Sequence, residues 1–195
     1  IAAFAIEGTA VDAVNWAILT HGQELPFDAV IAGVNRGSTL GHEALSIGVV
    51  GAAIVASTYG LPGIAVAQDR GAHVYDVAAD IVRQVLVKWV EQGLDDGVAV
   101  SINVPAAATT SPRGVVAAPL GEPEYNTLGF KKVENDDPRE LWRVQFKKNR
   151  RPERGTDLDW YQRGEITITP LRMGATAVDL LETLESWELE AKRGL

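Results

Sequence analysis

In the first half of the chain, short continuous apolar runs alternate with apolar positions at helical spacing. Ala2–Ile6 is an apolar run closed by Gly8 and predicts a strand. Thr9 and Asp12 have the offset of a capping box, which predicts a helix to about Leu19. Asp28–Val34 (DAVIAGV) reads as a buried strand, Gly48–Tyr59 as a helix of small residues stopped by Gly60 with Pro62 beyond, and Gly63–Ala67 (GIAVA) as the next strand. Val74–Gln92 sets Val77, Ile81, Val85, Leu86, Trp89 and Val90 at helical spacing and ends at Gly93, and Val98–Val104 (VAVSINV) is another buried strand. Alternation of this kind implies right-handed crossovers. The expected fold is α/β: a Rossmann-like, doubly wound, mainly parallel sheet with helices on both faces.

Beyond Pro105 the pattern changes. Gly114–Ala118, Thr127–Val133 and Leu141–Lys147 read as extended pieces joined by turns such as Asn135–Pro138, that is, as antiparallel hairpins appended to the sheet. Glu165–Leu171 (EITITPL) is one more strand. Thr176–Lys192 predicts an amphipathic C-terminal helix presenting Val178, Leu181, Leu184, Trp187 and Leu189. The expected organisation is a single domain over 1–195, with 1–105 Rossmann-like, 106–171 the hairpin extension and 172–195 the C-terminal helix.

Composition narrows the classes. With 46% hydrophobic and 23% charged residues the chain has the make-up of a folded globule. It contains no Cys, which removes thiolate metal sites and Cys nucleophiles and agrees with a reducing, cytoplasmic location. The longest apolar stretch, Val49–Val55, is far too short to span a membrane, so no membrane association is expected. A net charge of −8 argues against nucleic acid as a partner, and the local basic run Lys147, Lys148, Arg150, Arg151 and Arg154 reads as a surface loop beside Pro152. The first residue is Ile1 and the only Met is Met173, so further residues are expected upstream.

In doubly wound sheets ligands sit beyond the carboxyl ends of the strands, which directs attention to Glu7–Thr9, Asn35–Gly48 and Gln68–His73. Asn35–Glu43 (NRGSTLGHE) joins a buried strand to a Gly-containing helix start, where free N–H groups and a positive helix end suit a phosphate. Gly37 and Gly41 are equally compatible with tight turns alone, and the loop lacks the Lys of a Walker A sequence. His42 lies in this loop, able to touch a phosphate or move a proton, or else exposed and without a role. His21 and His73 have no carboxylate partner in view and read as solvent-facing, and Asp12 reads as a helix cap. Trp142, Phe146, Trp160 and Tyr161 read as hairpin core or subunit interface rather than a base-stacking platform. No Gly-x-Ser-x-Gly nucleophile elbow is present.

The run AGVNRGSTLGHE followed by GVVGAA resembles the SGINxGxNLGxx and SGTVGAA signature of the SurE family of metal-dependent 5'/3'-nucleotidases and acid phosphatases. Further pieces match in order: IEGTAVDAV at Ile6–Val14, GLPGIAVA at Gly60–Ala67, SINVP at Ser101–Pro105 and GTDLDWYQRGEITITPL at Gly155–Leu171. The resemblance implies a Rossmann-like sheet with an antiparallel extension and a C-terminal helix, assembled as a homodimer or homotetramer partly by exchanged hairpins. It also implies a divalent metal, Mg2+ or Mn2+, that positions a water for attack on a nucleoside monophosphate or other small phosphomonoester. On this resemblance Asn35 matches a metal ligand and Gly48 matches the Gly of the phosphate-binding Ser-Gly-Thr triplet. Ile47 and Val49 stand where that triplet has its hydroxyls, Ser46 lies one position earlier as a partial substitute, and Thr39 stands where a second Asn is common.

Losing one preorganised donor costs about 2.7–4 kcal/mol in catalysis. The family's adjacent Asp pair, in an NDDG motif, and an early Ser have no counterpart here, so no catalytic residue is assigned within the chain. They are expected on a strand–helix–strand segment preceding Ile1; Asn135–Pro138 reads as a turn and not as that motif. The function implied is metal-dependent phosphomonoester hydrolysis. The alternative is a catalytically degenerate nucleotide-binding or oligomeric scaffold protein.

Overall fold

The computed structural model describes residues 2–22, 24, 26–70, 75–109, 113–122, 125–134, 139–148, 151–174, 178–181 and 184. The elements are α1 (Ala10–His21), β1 (Val30–Arg36), α2 (Gly48–Thr58), β2 (Gly63–Gln68), α3 (Tyr75–Gln92), β3 (Val98–Val104), β4 (Val115–Ala117), β5 (Tyr125–Val133), β6 (Leu141–Lys148), α4 (Asp157–Gln162) and β7 (Ile166–Arg172). Five strands form one sheet in the order β1-β2-β3-β7-β4, in which β7 runs antiparallel to β3 and β4 runs parallel to β7. The sheet is mainly parallel, with helices on both sides. It is an α/β fold.

The two faces of the sheet differ because side chains alternate along each strand. Ile64, Val66, Val100, Ile102 and Val104 turn to one face and form a core with Ala78, Ile81 and Val82 of α3. Ala65 and Ala99 turn to the other, against Val50, Ala53 and Ile54 of α2. Small residues on this second face let α2 approach closely. A Cβ on Gly63 would lie 2.0 Å from the Ala53 carbonyl oxygen, so only glycine fits there. Along β3 this face changes from Ala99 to Ser101 and Asn103 toward the carboxyl end, where β7 sets Thr169 and Thr167 beside them. The polar end of that row lies under the loop that follows β1.

α1 begins as its capping box predicts: Thr9 Oγ1 accepts the Asp12 N–H at 3.2 Å and Asp12 accepts the Thr9 N–H at 2.8 Å. These bonds, the backbone one foremost, hold the Asp12 carboxyl below the usual carboxylate range. α1 packs on α2 and leaves an apolar groove of about 300 Å3 between Val14, Ile18, Phe27, Val30 and Ile31.

Several expectations change. Ala2–Ile6 forms no strand, because no described strand runs beside it to take its backbone groups; Phe4 packs instead on Trp16. His21 is not solvent-facing: its ring stacks on Phe4 and meets Trp16 edge-on, centroids 5.0 and 4.8 Å apart, with Nε2 buried and without a hydrogen-bond partner among the described residues. Gly114–Ala118 supplies β4 to the main sheet and not to a hairpin, since its partner is β7. The appended hairpin is β5–β6 alone, a separate two-stranded sheet with a register shift between Thr127 and Gly129. Of the expected C-terminal helix, the described residues hold a 3-10 turn at Val178–Leu180; Trp187 and Leu189, like His73 and Asn135–Pro138, lie outside the described residues. Among the described residues no helix is long and apolar enough to cross a membrane.

Candidate functional site

The carboxyl ends of β1, β2 and β3 bring Asn35, Asp69 and Asn103 to one edge of the sheet. Asn35 is the second-last residue of β1, just past the register shift between Ala32 and Asn35. Its Nδ2 donates to the Gly37 carbonyl at 2.7 Å, and the Gly37 N–H donates to the Gln68 carbonyl at 2.8 Å. This fixes the carboxamide with Oδ1 as its remaining end, a hard oxygen of the kind a divalent cation takes.

The loop beyond Asn35 is held from inside the fold. Thr39, 1% exposed, is gripped by the Asn103 side chain much as one strand grips another. The Thr39 N–H donates to Asn103 Oδ1 at 2.6 Å, and Asn103 Nδ2 donates to the Thr39 carbonyl at 3.1 Å. The Thr39 hydroxyl also donates to Asn103 Oδ1 at 3.2 Å and lies 3.3 Å from Ser101 Oγ. Thr39 therefore turns inward and braces the loop.

Two residues on, Gly41 donates its N–H to Asp157 Oδ2 at 2.7 Å, and Asp157 Oδ1 accepts from Gly121 at 2.9 Å and from Leu158 at 2.8 Å. Asp157 is fully buried, and these donors compensate its charge. Gly41 sits at φ 61° and a Cβ there would meet the Gly121 carbonyl oxygen at 2.8 Å, so the loop can close on 118–122 only with glycine.

The remaining sequence-predicted residues follow on the surface. His42 opens a 3-10 turn, His42–Ser46, with its imidazole exposed and its N–H donated to the Gly121 carbonyl at 2.9 Å. Ser46 is exposed, and its hydroxyl donates to Glu43 O at 2.7 Å, within its own turn. Gly48 is exposed as the first residue of α2. Ile47, the N-cap, gives no side-chain bond; the Val50 N–H turns back to the Ile47 carbonyl at 3.0 Å, and the N–H groups of Gly48 and Val49 have no side-chain cap. This is the positive end of an 11-residue helix, capped by no side-chain hydroxyl, and such an end is chemically suited to an anion.

Two of the residues that hold these loops go unmarked in the sequence: Asp157 carries no expected part, and Tyr161, expected with Trp160 in hairpin core or a subunit interface, lies with it on α4 and not on the β5–β6 hairpin. α4 supplies both: Asp157, described above, and Tyr161, buried with Leu40 and Leu158, whose hydroxyl donates to Asp69 Oδ1 at 2.6 Å. Asp69 Oδ2 accepts the Ala106 N–H at 2.8 Å. The signal was at hand in the SINVP and GTD matches, which contain Asn103 and Asp157. Also on α4, Asp159 is held below the usual carboxylate range by the Gly155 N–H first and by the Arg163 guanidinium, which bonds both its oxygens. Arg163 lies over Trp160 at 4.9 Å. Trp142 and Phe146 are exposed on the hairpin and line one of its faces with Phe130, which pairs with Val144.

The fit to a divalent metal is incomplete. Asn35 Oδ1 is one suitable ligand, but among the described residues no group of three or more His, Cys, Asp or Glu is placed to hold a metal ion. The described residues do not by themselves make a metal site.

A family model described as Survival protein SurE matches residues 1–127. A 5'-nucleotidase SurE of Geobacter sulfurreducens is 34% identical over 97% of this chain and 73% of its own length. The 5'-nucleotidase SurE of Rhodopirellula baltica is 30% identical over 96% of this chain and 74% of its own length. The crystal structure of the SurE protein from Aquifex aeolicus superimposes with a TM-score of 0.76 at 21% identity, covering 94% of this chain and 74% of that one, which establishes the shared fold.

Proposed function

Because the chain belongs to the SurE family, we propose that it is a phosphomonoester hydrolase that releases phosphate from nucleoside monophosphates. The observation that carries this reading is the Asn35–Gly48 loop. It starts from an oriented carboxamide at the end of a parallel strand, is braced twice in the interior, and delivers the chain to an uncapped helix N-terminus. Substrate phosphate is bound by the N–H groups of Gly48 and Val49, and exposed His42 stands in the same loop for a contact or a proton. Ser46 can join them only by leaving the Glu43 carbonyl.

Hydrolysis in this reading depends on Mg2+ or Mn2+. Asn35 contributes one ligand, and the others, the Asp pair, sit on a strand–helix–strand segment preceding Ile1. The free edge of β1, which pairs only with β2 among the described strands, and the apolar groove beside exposed Ile31 support that placement. The relatives are longer than this chain, which leaves room in the family for such a segment. A second copy of the chain covers the aromatic face of the β5–β6 hairpin, because a lone two-stranded ribbon with Phe130, Trp142 and Phe146 exposed is marginal in water. A homodimer or homotetramer follows.

The test is phosphate release from nucleoside monophosphates and p-nitrophenyl phosphate by the complete encoded protein with Mg2+, Mn2+ or EDTA. EDTA-sensitive release that Asn35→Ala lowers at least about a hundredfold is expected. No release from folded protein with any metal would return the reading to the degenerate scaffold, which the missing hydroxyls at Ile47 and Val49 would then explain.

A further inference from the structure

We infer that α4 is the positioning element of this site, through two side chains one turn apart that set both ends of the Asn35–Gly41 loop. The inference rests on the hydrolase reading. Asp157 and Tyr161 are four residues apart and so share a face of the helix. That face is buried against the loops at the carboxyl edge of the sheet, Asp157 at 0% and Tyr161 at 9% exposure.

Tyr161 acts on the near end. Its hydroxyl, 2.6 Å from Asp69, holds the residue next to Gln68; the Gln68 carbonyl takes the Gly37 N–H, and the Gly37 carbonyl takes the Asn35 amide. Each bond in this chain fixes the acceptor or donor of the next, so the orientation of Asn35 Oδ1 depends on a phenol on the far side of the β2–β3 loops. Asp157 acts on the far end, where it joins the Gly41 N–H to the Gly121 N–H and so ties the loop after β1 to the loop after β4. Asp69 adds the start of the segment after β3 through the Ala106 N–H.

One six-residue helix thus registers four loops against one another. Neither side chain is placed to meet substrate, so both are positioning residues and not catalytic ones. Buried carboxylate–amide bonds suit the task because they are directional, and reaction geometry is sensitive to shifts well below 1 Å.

Tyr161→Phe removes one hydroxyl and keeps the ring packed on Leu40 and Leu158, so it is the variant expected to fold; Asp157→Asn turns one acceptor into a donor facing N–H groups. In the complete encoded protein, kcat and KM for p-nitrophenyl phosphate, thermal midpoint, and amide exchange over residues 35–42 and 118–122 are measured for both. Ile81→Val, in the α3 core, controls for simple destabilisation.

Tyr161→Phe is expected to lower kcat about tenfold or more with KM within about twofold, and to speed exchange over 35–42. Asp157→Asn should do the same and also speed exchange over 118–122. Ile81→Val should lower the thermal midpoint and leave kcat alone. The inference is overturned if exchange over 35–42 is unchanged in both α4 variants, or if it quickens while kcat stays at the parent value. If the parent itself releases no phosphate, the hydrolase reading fails separately. The exchange data then decide whether α4 sets the loop: faster exchange over 35–42 supports it and unchanged exchange refutes it.

Discussion

Asn103→Ala isolates the brace under the site loop. Asn103 and Thr39 are each 1% exposed, and the Asn103 amide satisfies both backbone groups of Thr39, at 2.6 and 3.1 Å. Truncation leaves the Thr39 N–H and carbonyl buried without partners, at about 1–3 kcal/mol each, so the expected loss is about 2–6 kcal/mol. Thr39→Val removes only hydroxyl bonds, at 3.2 and 3.3 Å, and leaves the backbone pair intact. It should cost about 1 kcal/mol.

For a chain of this size each kcal/mol moves the thermal midpoint by about 2–4 °C, which puts Asn103→Ala roughly 4–24 °C below the parent. Urea unfolding followed by tryptophan fluorescence, at one protein concentration and with a shared m value, measures both variants. Asn103→Ala costing no more than Thr39→Val would refute the reasoning, since it would mean that water or a rearranged loop satisfies Thr39.

Three further outcomes follow from the geometry. Gly63→Ala sets a Cβ 2.0 Å from the Ala53 carbonyl oxygen, so it should push α2 off the sheet at a cost of about 1–3 kcal/mol or more, and a melt matching the parent's would contradict the close approach. Val49→Thr returns a hydroxyl to the first turn of α2 and should raise kcat/KM for a phosphomonoester at least about tenfold; an unchanged value would count against phosphate binding there. Asp159 has a folded-state pKa below its unfolded one, so its stabilising contribution is complete above the unfolded value and is lost as pH falls through the folded one. The gap in thermal midpoint between the parent and Asp159→Asn should therefore be steady near neutrality and narrow below about pH 4; a gap that widens in acid would reverse the assignment.

Local chemistry made much of the fold legible. β3 spans the same residues as the run VAVSINV that predicts it, and the Thr9–Asp12 cap forms as its spacing indicates. In both, the deciding interactions lie within the segment or depend only on burial. Ala2–Ile6 has the same apolar pattern but no described strand beside it to pair with, and pairing is not written in the run itself. α4 has six residues between Gly155 and Gly164, too few for a period to stand out.

The site divides the same way. Asn35 and Gly48 lie where a strand end and a helix start place them, whereas Asn103 and Asp157 act on Thr39 and Gly41 across 64 and 116 residues of sequence. Contacts that distant follow from topology, and a single sequence carries topology only as far as its local elements imply it.

The placement of β7 between β3 and β4 has a consequence for the order of assembly. Strands β1 to β3 can pair as they leave the ribosome, but among the described strands β4 pairs only with β7, and Val115–Ala117 must await Ile166–Ile168. At typical synthesis rates that interval of about 50 residues lasts roughly 3–10 s, during which a short apolar strand has no partner. The β5–β6 hairpin emerges within the same interval and closes on itself through neighbouring residues. It thereby shortens the effective tether between β4 and its late-arriving partner, and β7, the last of the described strands, enters the sheet from the inside and not at an edge.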